Sequence, residues 1–112
     1  MTNGNMKPEI IEIWIESEHT GPIIGGKKFI DDNSDVIVTL ANGKKFVASF
    51  FTYDNIKTLT EKNKRTGESL SGKYFWASDM ILIDKVDRES IEAIIEDLVK
   101  SGDFNTVFKE VT

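Results

Sequence analysis

From Asp35 to Tyr53 the chain carries two apolar, β-branched or aromatic runs on either side of Asn42-Gly43, the pattern of two strands joined by a tight turn. The register follows from sorting side chains by face. A two-residue Asn-Gly turn would set Val38 opposite Val47 and Leu40 opposite Lys45. A three-residue turn, Ala41-Asn42-Gly43 with Gly43 left-handed in a bulge, sets Val38 opposite Phe46 and Val36 opposite Ala48. The second register gathers Val36, Val38, Leu40, Phe46, Ala48 and Phe50 on one face. A slip of one residue would split that set between core and solvent, so the bulged turn is expected.

The same period of two runs through Glu9–Glu18, where Ile11, Ile13 and Ile15 point one way and Ile10, Glu12, Trp14 and Glu16 the other. The stretch 19–26, HTGPIIGG, reads as a loop, and 27–30 as a short strand. A helix is expected over Asp54–Thr66, capped by Asp54, with Ile56 and Leu59 inward and Gly67 as its stop. Lys73–Asp84 reads as a strand that is apolar on both faces, hence central. A second helix begins after Asp87, with Val86 and Ile91 as a hydrophobic staple across the cap. Ile91, Ile94, Ile95, Leu98 and Val99 recur at i, i+3, i+4, i+7 and i+8, and Gly102 ends the run. Phe104, Val107 and Phe108 keep helical spacing in a short last segment.

These elements predict an α+β fold: a mainly antiparallel sheet of about four strands, with a hairpin at 36–53 and a strand near 74–84, packed by two or three helices in the order β-β-β-α-β-α-α. Residues 1–112 read as a single domain, with 1–7 a loose tail.

Composition narrows the functional classes. The 112 residues carry 14 basic and 19 acidic side chains, a net charge of −5. A field of that sign disfavours general phosphate binding, so no nucleic-acid partner is expected, whereas a basic protein partner would be attracted. The absence of cysteine removes disulfides, thiolate metal sites and a cysteine nucleophile. Met1–Pro8 is polar and the longest strictly aliphatic run is Met80–Ile83. Neither a signal peptide nor a membrane span is expected, and a cytoplasmic location follows.

Chemistry-bearing residues are few. Gly67–Lys73 fits the start of a phosphate loop, G-x-x-x-x-G-K, but Tyr74 stands where a Mg²⁺-binding Ser or Thr belongs, and the stretch runs from a helix into a strand, the reverse of a phosphate loop. His19, the single histidine, has no nucleophile near it in sequence and reads as a surface residue. Asp79 interrupts an apolar stretch. It is either satisfied structurally at a bulge or edge, or it is a recognition or acid/base carboxylate at a cleft with nearby aromatics. No catalytic, cofactor or metal-ligating set is expected. Trp14, Tyr74 and Trp76 are core residues or, where exposed, interface anchors. Charge is uneven: 57–73 holds five basic and two acidic residues, whereas 79–97 holds seven acidic and two basic ones, with Glu89, Glu92 and Glu96 on the second helix.

The run from about Val36 to Phe108, with FFTYDNI at 50–56 and GKYFWASDM at 72–80, resembles small uncharacterised bacterial α+β proteins in which a hairpin and an FFTY stretch lead to a GKYFWA-x-DM segment and an acidic helix. The resemblance carries no catalytic residue. Small acidic bacterial proteins of this size include immunity proteins that neutralise polymorphic toxins, a likeness of class alone. The leading expectation is a non-enzymatic protein-binding module, in its most concrete form an immunity protein. It would cover a basic toxin surface with Glu89, Glu92 and Glu96 and the anchors Trp14, Tyr74 and Trp76. The alternatives are a small ligand-binding domain or enzyme with a cleft at Asp79, and an accessory subunit of a larger complex. The oligomeric state is open.

Overall fold

The computed structural model describes residues 9–19 and 32–111. The expected tail at 1–7, most of the loop at 19–26 and the short strand at 27–30 lie outside the described residues. The elements are β1 (Ile10–Ile15), a 3₁₀ turn (Glu16–Glu18), β2 (Asn33–Leu40), β3 (Lys45–Thr52), α1 (Tyr53–Thr66), α2 (Glu68–Gly72), β4 (Met80–Ile83), α3 (Arg88–Ser101), α4 (Phe104–Val107) and β5 (Lys109–Val111). The fold is α+β, with a mainly antiparallel sheet of five strands and four helices among the described residues.

β1, β2, β3 and β4 lie side by side in that order; β1–β2 and β2–β3 are antiparallel and β3–β4 is parallel. β2 occupies one edge of β3 almost throughout. The other edge is divided: β4 takes Ser49–Thr52 and β5, antiparallel, takes Lys45–Val47. The hairpin has the bulged register, with Val38 opposite Phe46 and Val36 opposite Ala48. Gly43 has φ 88° and donates to the Leu40 carbonyl at 2.9 Å, a conformation that glycine adopts without a Cβ penalty.

The inner face of the sheet is the expected one. Ile15, Val36, Val38, Leu40, Phe46, Ala48, Phe50 and Ile83 are buried against Val86, Ile91, Ile95, Phe104 and Phe108. Phe104 packs edge-on to Phe46 (centroids 5.3 Å apart) and stacks on Phe108 (4.7 Å). α3 forms as its signals require. Asp87 Oδ1 accepts from Ser90 N at 2.7 Å, and Gly102 closes the helix at φ 85° with its N–H on the Val99 carbonyl.

Four expectations need correction. In β1, Ile10 lies opposite Leu40 but Glu12 opposite Thr39, so Ile11 is an extra, bulged residue and is 62% exposed. Ile10, with Ile13 and Ile15, therefore shares the inner face. In α1 the cap is Thr52 rather than Asp54: Thr52 Oγ1 accepts from Asn55 N at 2.9 Å, and Asp54 sits in the first turn. The buried residues of α1 are Asn55 and Asn63, with Ile56 and Leu59 only half-buried.

The strand expected near 74–84 spans only Met80–Ile83, and it lies at the edge of the sheet rather than at its centre. Before it, Gly67 ends α1 at φ 86°, and α2 is wound left-handed at Ser69, Leu70 and Ser71 (φ 52°, 52° and 58°) and at Gly72 (φ 79°). Such a conformation costs about 1–2 kcal/mol for each residue other than glycine. Gly72 lies against α1 so closely that a Cβ there would overlap the Thr60 carbonyl oxygen and meet Lys64 Cγ. The chain then crosses the outer face of the sheet, where Phe75 packs edge-on to Phe51 at 5.4 Å. Asp79, at φ 53°, turns it into β4 and offers its carbonyl to Ser49 N at 2.9 Å. Finally, β5 is a short strand that the sequence pattern does not mark.

Candidate functional site

α3 covers the inner face of the sheet incompletely, and the uncovered part is a groove against β1. Its apolar surface comes from Ile10 and Ile13 on β1 and Ile95 and Val99 on α3; its charged surface comes from Glu92, Glu96 and Lys100. The volume is about 640 Å³. The bulge at Ile11 helps to create it, because it turns Ile10 inward beside Ile13. The helical period does the rest: Glu92 and Glu96 are one turn apart on one side of α3, next to the buried stripe of Ile91 and Ile95.

Arg88 locks one end of this groove. Its Nη2 donates to the Ile13 carbonyl and to Glu18 Oε1, both at 2.8 Å; its Nε donates to Glu18 Oε2 and its Nη1 to Glu92 Oε2, both at 2.9 Å. The fork thus spans β1, the 3₁₀ turn and α3, geometry that a lysine does not reproduce. These hydrogen bonds hold the Glu18 carboxyl below its ordinary range, with the Arg88 charge adding to the effect and partial burial opposing it. The bonds to Glu18, and then to Glu92, raise the guanidinium above its ordinary value against its own desolvation. Glu92 is therefore exposed but engaged. Glu96 and Glu89 are exposed too.

The anchors expected alongside these carboxylates lie elsewhere. Trp14 projects from the outer face of β1, half-buried, and stacks on His19 with centroids 5.1 Å apart. Tyr74 and Trp76 flank Phe75 on the outer side of the sheet, and Trp76 is 70% exposed. α3 sits on the inner side. The acidic and aromatic residues do not form one surface.

Asp79 borders a second, open cleft of about 420 Å³, where β4 and β5 both begin along β3. Phe46 and Phe108 supply its apolar lining, and Lys44, Asn105, Thr106, Lys109 and Glu110 its polar one; Lys44 Nζ and Glu110 Oε2 are 3.9 Å apart. Tyr74 and Trp76 do not line it. The Gly67–Lys73 stretch joins the end of α1 to a left-handed turn, so no helix N-terminus faces it as a phosphate loop requires.

Among the described residues no group of three or more His, Asp or Glu side chains is placed to hold a metal ion, and no helix is long and apolar enough to cross a membrane. No family model, curated protein or solved structure matches this chain. The groove rests on two residues that the sequence pattern undervalues. Arg88 figures there only as one of two bases in an acidic stretch, and Ile10 is placed with Glu12, Trp14 and Glu16 on the face opposite Ile13 and Ile15. The i, i+4 relation of Arg88 to Glu92 is the one local signal of the clamp.

Proposed function

We propose that this chain is a non-enzymatic protein-binding module, in its most concrete form a toxin-neutralising immunity protein, that takes a basic, partly apolar segment of its partner in the groove between β1 and α3. The observation that carries this reading is the apolar floor of Ile10, Ile13, Ile95 and Val99 beside the carboxylates of Glu92 and Glu96. A volume within the usual range of about 300–1,000 Å³ for concave sites suits a few side chains rather than a whole element. Burying apolar side chains there supplies affinity. The carboxylates favour partners bearing Lys or Arg and raise the encounter rate at low salt. Glu89, in the first turn of α3, adds to the same field.

The test starts from a partner recovered by co-purification and compares association rates for the native chain and for Glu92→Lys/Glu96→Lys at low and high salt. Arg88 keeps Glu18 and the Ile13 carbonyl, so the variant folds. Slower association and a flatter salt dependence are expected. Unchanged rates at both salts overturn the reading.

The cleft at Asp79 supports a second reading, a small-ligand site. Asn adopts positive φ nearly as readily as Asp, so Asp79→Asn preserves the turn while removing the charge. A ligand whose thermal stabilisation of the native chain is lost in this variant would favour that reading.

A further inference from the structure

We infer that this chain associates with itself head to tail, the basic arm formed by α1 and α2 of one copy entering the groove between β1 and α3 of the next. The inference concerns the same groove as the proposed function and adds a competitor for it. The arm has the chemistry the groove accepts. Residues 57–73 hold five basic and two acidic side chains, with Lys62 Nζ 3.7 Å from Glu68 Oε1, whereas Glu92, Glu96 and Lys100 supply the charge of the groove. Arg88 pairs with Glu18 and with Glu92, so Glu96 is the groove carboxylate that meets an incoming cation first.

The arm also carries an apolar knob. Leu70 is 70% exposed at the crest of the left-handed turn. Glycines at φ 86° and 79° bracket it, and Gly72 is pressed against α1. The turn packs back on α1 through Gly72 while its crest holds an apolar side chain out in water, the kind of strained feature that often serves a contact. Its counterpart is the groove floor, where the half-buried Ile10, Ile13 and Val99 lie over the buried Ile95.

Placement excludes an intramolecular match. α1 leaves the sheet at Thr52, the end of β3 far from the hairpin turn, and the chain returns across the outer face through Phe75 on Phe51. The groove lies on the inner side, near the opposite end of the strands, where Ile10 faces Leu40 beside the turn. Two complementary surfaces at opposite ends of one molecule make a heterologous contact, which adds copies with rising concentration rather than closing at a two-fold pair. The contact is small and charged, hence weak and sensitive to salt. A foreign basic segment that enters the groove would displace the arm, so partner binding would dissolve the self-associated form.

Sedimentation equilibrium of the full chain, from micromolar to millimolar concentration at low and high salt, tests this. The weight-average mass should rise above 12.6 kDa with concentration at low salt and fall back towards it at high salt. Leu70→Asp breaks the arm and Glu92→Lys/Glu96→Lys breaks the groove; each should weaken association by about tenfold or more. Lys57→Glu/Arg65→Glu attacks the arm through charge alone and should do the same. The decisive sample is a mixture. The Leu70→Asp chain retains a groove and the Glu92→Lys/Glu96→Lys chain retains an arm, so together they should form a one-to-one pair and stop there. A native chain that stays at the monomer mass at millimolar concentration and low salt overturns the inference while leaving the groove to a foreign partner. Association that survives these variants, or a mixture that stays monomeric, overturns it as well. Unchanged partner rates in the earlier test refute the proposed function without touching this result.

Discussion

Thr52 offers the sharpest test of how the sheet is joined to α1. Its side chain is completely buried. The hydroxyl accepts two backbone N–H groups, from Asn55 at 2.9 Å as the cap of α1 and from Asp32 at 3.1 Å where β2 approaches. Its methyl group packs in the interior. Thr52→Val keeps the shape and removes both hydrogen bonds. The cap alone is worth about 1 kcal/mol, and stranding a buried donor adds about 1–3 kcal/mol, toward the low end for the half-buried Asp32. A loss of about 2–3 kcal/mol is expected. Thr52→Ser keeps both bonds and removes one methyl, worth about 1 kcal/mol. For a domain of this size the melting temperature should fall by about 8–12 °C for Val and about 4 °C for Ser. Calorimetry or urea unfolding of the three proteins gives the comparison. If the Val variant is as stable as the Ser variant, hydrogen bonding does not hold this junction and the argument fails.

Ile95 is 1% exposed at the centre of the core, so Ile95→Ala should destabilise by about 2–5 kcal/mol in denaturant titration; a change within about 0.5 kcal/mol, as at a surface site, would refute the packing of α3. Gly72→Ala combines positive φ with overlap on Thr60 and Lys64, and should lose about 2 kcal/mol or more, whereas Gly67→Ala meets no atom within 4 Å and should lose only about 1 kcal/mol; equal losses would show that α2 is not pressed on α1. Because Arg88 lowers the Glu18 pKa in the folded state, folding binds that proton more weakly. The contribution of Glu18 is thus present above its unfolded value near 4.5 and lost as pH falls through the lower folded value. The stability gap between the native chain and Glu18→Gln, measured by chemical unfolding, should therefore close in acid; a gap independent of pH would exclude the ion pair as its source.

The parts legible in the sequence are those where independent local signals agree. The hairpin was readable because Gly43 and the sorting of Val36, Val38, Phe46, Ala48 and Phe50 demand one register. α3 was readable because its cap, staple, period and stop coincide. Ambiguity defeated the rest. Ile10-Ile11-Glu12-Ile13 supports two alternations of equal quality, and only pairing with β2 shows which isoleucine is extra. Thr52 and Asp54 are both capping residues two positions apart. The apolar run from Tyr74 suggests a longer strand than forms, because a turn at positive φ on Asp79 interrupts it and no local pattern records that turn. Of the candidate site, Glu92 and Glu96 were legible from helical spacing. The groove itself joins residues of β1 and α3 that lie far apart in the chain.

The divided edge of β3 bears on how the fold is completed. β1, β2 and β3 pair through neighbouring segments, and β4 can dock once α1 and α2 have formed. The half of β3 from Lys45 to Val47 has no second neighbour until residues 109–111 arrive. During synthesis that edge is a bare template, next to Phe46, for any extended strand nearby. Closing it falls to a three-residue strand held in place by the aromatic stack of Phe104 and Phe108. Pairing of β5 removes the hazard, and a chain shortened before Lys109 should keep most of its core yet aggregate through the open half of a single strand.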